Sequence, residues 1–174
     1  TMSTDMLIVP DGFILAKNAN SYFAGKALYE ITYGDKTVQS ANLDDLKGAT
    51  KVKLLDNVND FAGTIKSDVA DGFVLDLGGF TLTGKATATS PVFSISGPMT
   101  IQNGTIKCAS SNAGSGALYT SADVTIASDA IIDGGAGYAI WTNGYDHTLT
   151  VNGTVKCEGD YAITGNGSEN GSEI

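Results

Sequence analysis

Residues 74–84 read VLDLGGFTLTG, in which apolar and polar side chains alternate on both sides of a Gly-Gly pair. Alternation over a few residues, bounded by glycine, is typical of short β-strands joined by a turn. Residues 99–106, MTIQNGTI, repeat this arrangement around an Asn-Gly pair. The two stretches predict an all-β fold built from short strands.

A repeat of nearly constant length runs through the second half of the chain. The strings at 91–95, 116–120, 138–142 and 161–164 align, and the Val or Ala at their second positions recurs after 25, 22 and 23 residues. A unit of this size, with three short strands, cannot bury its apolar face alone. Successive units should therefore stack about 4.8 Å apart as the coils of a β-solenoid. We expect about five to six coils.

Stacking also predicts which side chains lie above one another. We expect three inward columns of apolar residues: Leu75, Phe93, Leu118, Ile140 and Ile163; Phe80, Met99, Val124 and Leu149; and Ile106, Ile131 and Val155. We expect one outward column beside the first of these: Asp76, Ser94, Tyr119, Trp141 and Thr164. The inward columns would form one continuous core.

The sequence resembles the right-handed parallel β-helix of the pectate-lyase-like superfamily. Residues 74–84 are similar to its "LDLNGYTLTG" string and residues 99–106 to its "LTIxNGTI" string, within a resemblance that covers about residues 42–165. The resemblance implies the right-handed coil, and it implies that subunits associate, with a trimer favoured. It also brings in polysaccharide lyases and hydrolases as relatives.

Residues 1–48 do not follow the repeat and are interpreted as an N-terminal cap or docking segment, followed by the β-helix with a polar C-terminal tail at 49–174. A solenoid exposes apolar core at its first coil, so some segment must cover it. The predicted elements are strands at Phe13–Ala16, Leu28–Tyr33, Thr37–Gln39 and Lys51–Leu55, a Gly34-Asp35 turn, and a short helix at Leu43–Lys47.

Charge and composition exclude several classes of function. The net charge is −9, and all ten basic residues are Lys, so phosphate contacts are few and nucleic-acid binding is not expected. No apolar run is long enough for membrane insertion. Thr1-Met2-Ser3 is interpreted as a cloning scar before a natural start without a signal peptide, unless the chain is cut from a secreted parent.

Catalysis is not expected, and no cofactor or metal site is predicted. The lyase pattern of the resembled superfamily uses an Arg base, and this chain has no Arg. Its hydrolase pattern needs clustered Asp, but the Asp44-Asp45 pair falls in the predicted helix. Four further Asp residues are expected to be solvated or turn-forming: Asp76, Asp123, Asp133 and Asp160. The lone His147 is expected on a surface loop.

Cys108 and Cys157 end similar Lys-Cys strings on one column. One coil should separate them, so their Cα atoms would lie roughly 9–10 Å apart, whereas a disulfide needs less than about 7 Å. We predict two free, buried thiols, which fits synthesis in a reducing cytoplasm.

Aromatic side chains mark the candidate functional surface. Tyr119 and Trp141 should stack on adjacent coils, with Tyr138, Tyr145 and Tyr161 in nearby turns. Exposed aromatic residues serve as anchors in protein interfaces or as platforms for sugar rings. The third alternative is that the turns at 84–91 and 108–116 fold over them.

These observations favour a non-enzymatic structural or adhesion component. The first hypothesis is a bacteriophage virion protein, made in the host cytoplasm: a head fibre, a decoration protein or a tail appendage. Its partners would be other copies of the chain, capsid or tail proteins, or a host surface glycan. The alternatives are a bacterial cell-surface adhesin module and, third, a polysaccharide-active β-helix enzyme.

The core assignment can be tested at Leu118, in the middle of a predicted inward column. Leu118→Asp should abolish cooperative folding, because it buries an unpaired charge between coils. A urea titration followed by circular dichroism measures this effect. A variant with nearly unchanged stability would show that Leu118 does not face the core.

Overall fold

The computed structural model describes residues 8–18, 21–43, 46–61, 63–65, 72–144, 146–159 and 161–165. These residues form strands and turns and no helix. None of them therefore belongs to a helix that could cross a membrane. The all-β prediction is confirmed.

The short helix expected at residues 43–47 is not formed by the residues that are described there. Leu43 and Leu46 lie outside any regular element, and Lys47 and Gly48 form a turn. Gly48 has a φ of 73°, a left-handed conformation that glycine adopts without strain. The pair at 44–45 lies outside the described residues. Gly48, which had suggested the end of a helix, therefore forms part of a turn instead.

Two antiparallel hairpins open the described chain. In the first, β1 (Phe13–Asn18) pairs with β2 (Ser21–Lys26), a strand that the sequence analysis missed. In the second, β3 (Tyr29–Tyr33) pairs with β4 (Lys36–Ser40) around the predicted Gly34-Asp35 turn. Gly34 has a φ of 56°, as tight hairpin turns require.

The remaining strands form three sheets. Within each sheet, strands from successive coils pair in parallel. Sheet 1 contains β5 (Lys51–Leu54), β8 (Phe73–Asp76), β11 (Met99–Gln102), β14 (Val124–Ile126) and β17 (Leu149–Val151). Sheet 2 contains β6 (Val58–Phe61), β9 (Thr81–Gly84), β12 (Gly104–Lys107), β15 (Ala130–Asp133) and β18 (Thr154–Lys156). Sheet 3 contains β7 (Gly63–Ile65), β10 (Phe93–Ile95), β13 (Gly116–Thr120), β16 (Tyr138–Thr142) and β19 (Ile163–Gly165).

The chain visits the three sheets in a fixed order, so each set of three consecutive strands is one rung of a β-solenoid. The strands β5 to β19 make five such rungs, which amount to about four turns of the solenoid, slightly fewer than the five to six coils that were expected. Sheet 1 continues past β5 into the second hairpin, because β3 pairs antiparallel with β5 and places Ile31 opposite Val52. The hairpin thereby occupies the free edge of β5.

Most of the expected core columns are present in register. Phe93, Leu118, Ile140 and Ile163 are successive neighbours across sheet 3, and the first three are fully buried. In sheet 1, Met99, Val124 and Leu149 likewise follow one another and are buried. The repeat therefore predicted correctly which residues become vertical neighbours in the later rungs.

Three members of the predicted inward columns are wrong. Leu75 belongs to sheet 1, where it pairs with Ile101, and it is Phe73 rather than Phe80 that lies next to Met99. The strands β6 and β7 were not predicted from the sequence. Residues 73–84 were therefore assigned to the wrong sheets, each strand being placed in the sheet next to its own. In sheet 2 the core position is Ile132, and Ile131 pairs with Thr105 on the outer face. A one-residue shift exchanges the two faces of a strand.

The two cysteines are free thiols in the structure. Gly134 lies between them: the N–H of Cys108 donates to the carbonyl of Asp133, and the N–H of Gly134 donates to the carbonyl of Lys156. The predicted separation of two rungs is thus confirmed. Cys108 is buried as expected, but Cys157 is only partly buried because it lies in the last rung.

Asp76 does not belong to the outward column and is almost fully buried. Its carboxylate lies 2.8 Å from Lys51 Nζ and accepts hydrogen bonds from the Gly78 N–H (3.0 Å) and the Asn103 side-chain amide (3.1 Å). Burial raises the pKa of Asp76, but these three hydrogen bonds outweigh it and leave the pKa below its usual value. The ionised carboxylate links residues from three rungs.

Asp76→Asn should lower the free energy of unfolding at pH 7 by about 2 kcal/mol, since it removes the charge from three hydrogen bonds. The pKa of Asp76 is lower in the folded than in the unfolded chain. The stabilisation that ionised Asp76 gives the folded chain is therefore complete above the pKa of the unfolded chain, about 3.9. It is lost as the pH falls through the pKa of the folded chain. Urea unfolding between pH 7 and pH 2 measures both effects.

Asp133→Asn provides the matched control, since the Asp133–Lys156 ion pair is longer, 3.4 Å, and more exposed. It should cost less than Asp76→Asn. A difference between wild type and Asp76→Asn that stayed constant across the acid range would contradict the role given to the carboxylate.

Candidate functional site: an aromatic groove

Tyr119 and Trp141 lie opposite each other in register on β13 and β16. Both side chains are partly buried. The Tyr119 hydroxyl accepts a hydrogen bond of 2.6 Å from the Asn143 side-chain amide, which ties it to the next rung. The two residues are neighbours on adjacent rungs, as predicted, but the ring in edge-to-face contact with Trp141 belongs to another residue.

Tyr138 supplies that ring. Its centroid lies 5.3 Å from the Trp141 ring, at an interplanar angle of 73°, which is an edge-to-face contact. Such pairs contribute roughly 0.5–1.5 kcal/mol beyond the area they bury. Tyr138 was expected in a turn, but it is the buried first residue of β16.

Gly116 makes room for the Tyr138 ring. The two residues are partners in adjacent strands, and a Cβ added at Gly116 would overlap the ring atoms of Tyr138. The absence of a side chain on one rung thus determines where the aromatic ring of the next rung lies.

The Tyr138–Trp141 pair forms one wall of a groove of about 450 Å³. Tyr161, which is 66% exposed, stands at the groove as well. The rest of the lining consists of small residues: Ala113, Ala136, Gly137, Gly159 and Thr164. The structure therefore brings three of the five predicted aromatic residues together. Tyr119 does not line the groove, and Tyr145 lies outside the described residues.

At Gly137 and Gly159 the groove lining has no side chain, because the corners of successive rungs stack backbone on backbone there. A Cβ on Gly137 would overlap the carbonyl of Ser115. A Cβ on Gly159 would lie 2.6 Å from the carbonyl oxygen of Ala136, far inside a normal contact. Glycine is therefore required at these corners. Neither glycine was predicted to shape the site, although their spacing of 22 residues equals one repeat.

None of the described residues that line the groove carries a charge. Burial, followed by smaller effects of Cys108 and Tyr119, raises the pKa of Tyr138, so its phenol stays protonated at physiological pH. The Trp141 Nε1 atom is buried and has no hydrogen-bond partner within the described ranges. The lining offers aromatic faces, hydroxyl groups and main-chain atoms.

The titratable residues considered in the sequence lie elsewhere. Asp133 accepts a hydrogen bond from the Gly135 N–H (3.0 Å), and Asp123 accepts one from the Thr148 N–H (2.7 Å). The turn-forming role of Asp133 and the exposure of Asp123 fit the interpretation given above, whereas residue 160 lies outside the described part. No group of three or more potential metal ligands occurs among the residues that the structure describes.

His147 is not on the surface, in contrast to the prediction. It is 7% exposed and lies in the connection between β16 and β17. A Cβ placed on Gly144, whose φ is 109°, would lie 3.7 Å from its Cε1 atom. The connection therefore bends back at Gly144 and packs beside the imidazole, which the sequence did not indicate.

No protein-family model matches the chain. Searches against curated proteins and against solved structures also found no match. The interpretation of the groove therefore depends on its own geometry and chemistry.

Gly116→Ala should displace the Tyr138 ring and reduce stability by about 1–3 kcal/mol, the usual cost of overpacking. Trp141 is the only tryptophan, so a shift of its fluorescence emission reports the movement directly. Gly114→Ala is the matched control, because its nearest neighbour would be a side-chain oxygen at 3.3 Å. Unchanged emission in Gly116→Ala would contradict the packing described for Tyr138.

Proposed function

We propose that the protein is a non-enzymatic structural and adhesion component, a bacteriophage virion part, whose aromatic groove attaches to a neutral glycan. The observation that carries this proposal is the groove itself: a cleft of about 450 Å³ on a stacked β-solenoid, walled by Tyr138, Trp141 and Tyr161, with no charged side chain among its described lining residues. The groove is within the size range of ligand pockets, about 300–1,000 Å³.

The chemistry of the lining favours a sugar ring. Pyranose rings have an apolar face of C–H groups that packs on an aromatic side chain, and hydroxyl groups around the rim that need hydrogen-bond partners. Trp141 and Tyr161 supply aromatic surface, and Thr164 and the tyrosine phenols supply hydroxyl groups. An apolar peptide would leave those polar groups unpaired.

Charge favours a neutral glycan over an acidic one. The chain carries a net charge of −9, which repels polyanions at a distance, and the described lining of the groove includes no lysine to compensate. Polygalacturonate, the kind of substrate that a pectin-degrading enzyme would bind, is therefore disfavoured. Among the part of the lining that the structure describes there is also no carboxylate pair of the kind that glycoside hydrolysis uses.

The solenoid is a rigid fold, as a structural or adhesion component requires. Rungs joined by main-chain hydrogen bonds along three sheets form a rod whose side faces remain available for contact. A bacterial cell-surface adhesin module would use the same properties. The genes beside the coding sequence distinguish the two: genes for phage structural proteins favour the virion part, and an encoded signal peptide favours the adhesin.

Glycan binding can be measured by titrating the intrinsic fluorescence of Trp141 with neutral gluco-, galacto- and manno-oligosaccharides, and with polygalacturonate for comparison. We expect a saturable change with at least one neutral series. Tyr161→Ala should weaken that binding about tenfold, equivalent to about 1.4 kcal/mol. Phe13→Ala is the control, since Phe13 is also an exposed aromatic residue, 44% accessible, but belongs to β1.

Two results would overturn the proposal. One is the absence of binding to every neutral oligosaccharide. The other is the appearance of new reducing ends or unsaturated products during incubation, which would identify an enzyme.

A further inference from the structure

The connections that lead from sheet 2 to sheet 3 differ in length. The connection at 108–115 has eight residues, whereas the connection at 134–137, one rung later, has four. Lys107 lies opposite Asp133, and Gly116 lies opposite Tyr138, so both connections begin and end at neighbouring positions. The longer connection must therefore leave the path of the shorter one and project from the corner of the solenoid.

Hydrogen bonds hold the 108–115 connection in place. The Ser110 hydroxyl donates to the carbonyl of Ala88 (2.6 Å), in the preceding connection, and accepts from the Asn112 N–H (3.1 Å). The Asn112 carbonyl accepts hydrogen bonds from the hydroxyl (2.6 Å) and the N–H (3.0 Å) of Ser115. Ser110 and Ser115 are both buried. The connection is therefore a fixed barrier.

This barrier closes one side of the aromatic groove. Ala113 belongs to the 108–115 connection, and the other described lining residues belong to the next two rungs. A glycan chain that runs along the solenoid axis therefore cannot continue past Ala113.

The groove is also narrow along the axis. Ala113 and Tyr161 belong to rungs on either side of the 134–137 connection, so their main chains are two rung spacings apart, about 9.6 Å. One further layer, the thickness of one rung, fits between them. A chain that lies across the rungs is therefore limited to the thickness of a single sugar ring.

We propose that the groove binds the non-reducing end of a neutral glycan, as a terminal mono- or disaccharide unit, and not a stretch within the chain. This proposal rests on the proposed function, because it specifies the ligand of the same groove. Glycans on a cell surface are attached through their reducing ends, so the ends that are free for contact are the non-reducing ones. The volume of about 450 Å³ lies in the lower half of the usual range for ligand pockets, about 300–1,000 Å³, as a short ligand requires.

The dependence of affinity on chain length tests the proposal on the unsubstituted protein. The probes are the gluco-, galacto- and manno-oligosaccharides of the titration above, from monosaccharides to long polymers, each at a known molar concentration of chains. In the series that binds, the dissociation constant per mole of chains should fall up to the disaccharide and then stay constant. Reduction of the reducing-end sugar to its alditol should leave the binding of longer chains unchanged.

Ala113→Leu tests the barrier itself. It should weaken binding about tenfold or more, because the added methylene groups overfill a space that admits one sugar ring. Ala86→Leu is the matched control and should bind normally. Ala86 is also exposed and lies in the other eight-residue connection, 85–92, but it is not among the described lining residues. Equal urea midpoints for the two variants would show that both are folded.

An affinity per chain that rises in proportion to chain length would overturn the proposal, because sugars within the chain would then bind. Loss of binding after reduction, or an unchanged affinity of Ala113→Leu, would overturn it as well. In each of these cases, weaker binding by Tyr161→Ala would leave the proposed function in place. The absence of binding to every neutral series would instead overturn the proposed function, and this proposal with it.

Discussion

Register between rungs is the constraint on which the rest of the structure depends. Each strand of the three parallel sheets pairs its main-chain groups with the strand one repeat away, so Phe93 meets Leu118 and Leu118 meets Ile140. A shift of one residue in any rung would turn core side chains toward solvent and outer ones inward. The hydrogen-bonded ladder and the apolar columns therefore stabilise each other, and neither would hold the coil alone.

The same stacking creates the candidate site. Corners that approach backbone to backbone admit only glycine at Gly137 and Gly159, and this leaves a depression between rungs. Gly116 admits the Tyr138 ring, which then packs edge-to-face on Trp141. An aromatic cleft thus follows from the geometry of the coil.

The sequence predicted the solenoid because its repeat is visible as a spacing, and spacing translates directly into stacking. The prediction failed where the repeat is hard to recognise. Because β6 and β7 are short and do not alternate clearly between apolar and polar residues, residues 73–76 were assigned to the sheet next to their own. The Ile131–Ile132 pair gave no signal for which residue faces inward. The contact between Tyr138 and Trp141 depends on a missing Cβ in another rung, and the burial of His147 depends on a bend at Gly144. Neither is a periodic feature.

Spin labels on the outer face of sheet 1 test the register most directly, in a chain whose two native cysteines are replaced by serine. Thr100 and Thr125 are partners on adjacent rungs, and Thr150 lies one rung further. Labels at 100 and 125 should be about 4.8 Å apart at the backbone and show strong dipolar broadening. Labels at 100 and 150 should be twice as far apart and show much less. Equal broadening for the two pairs would contradict the in-register solenoid.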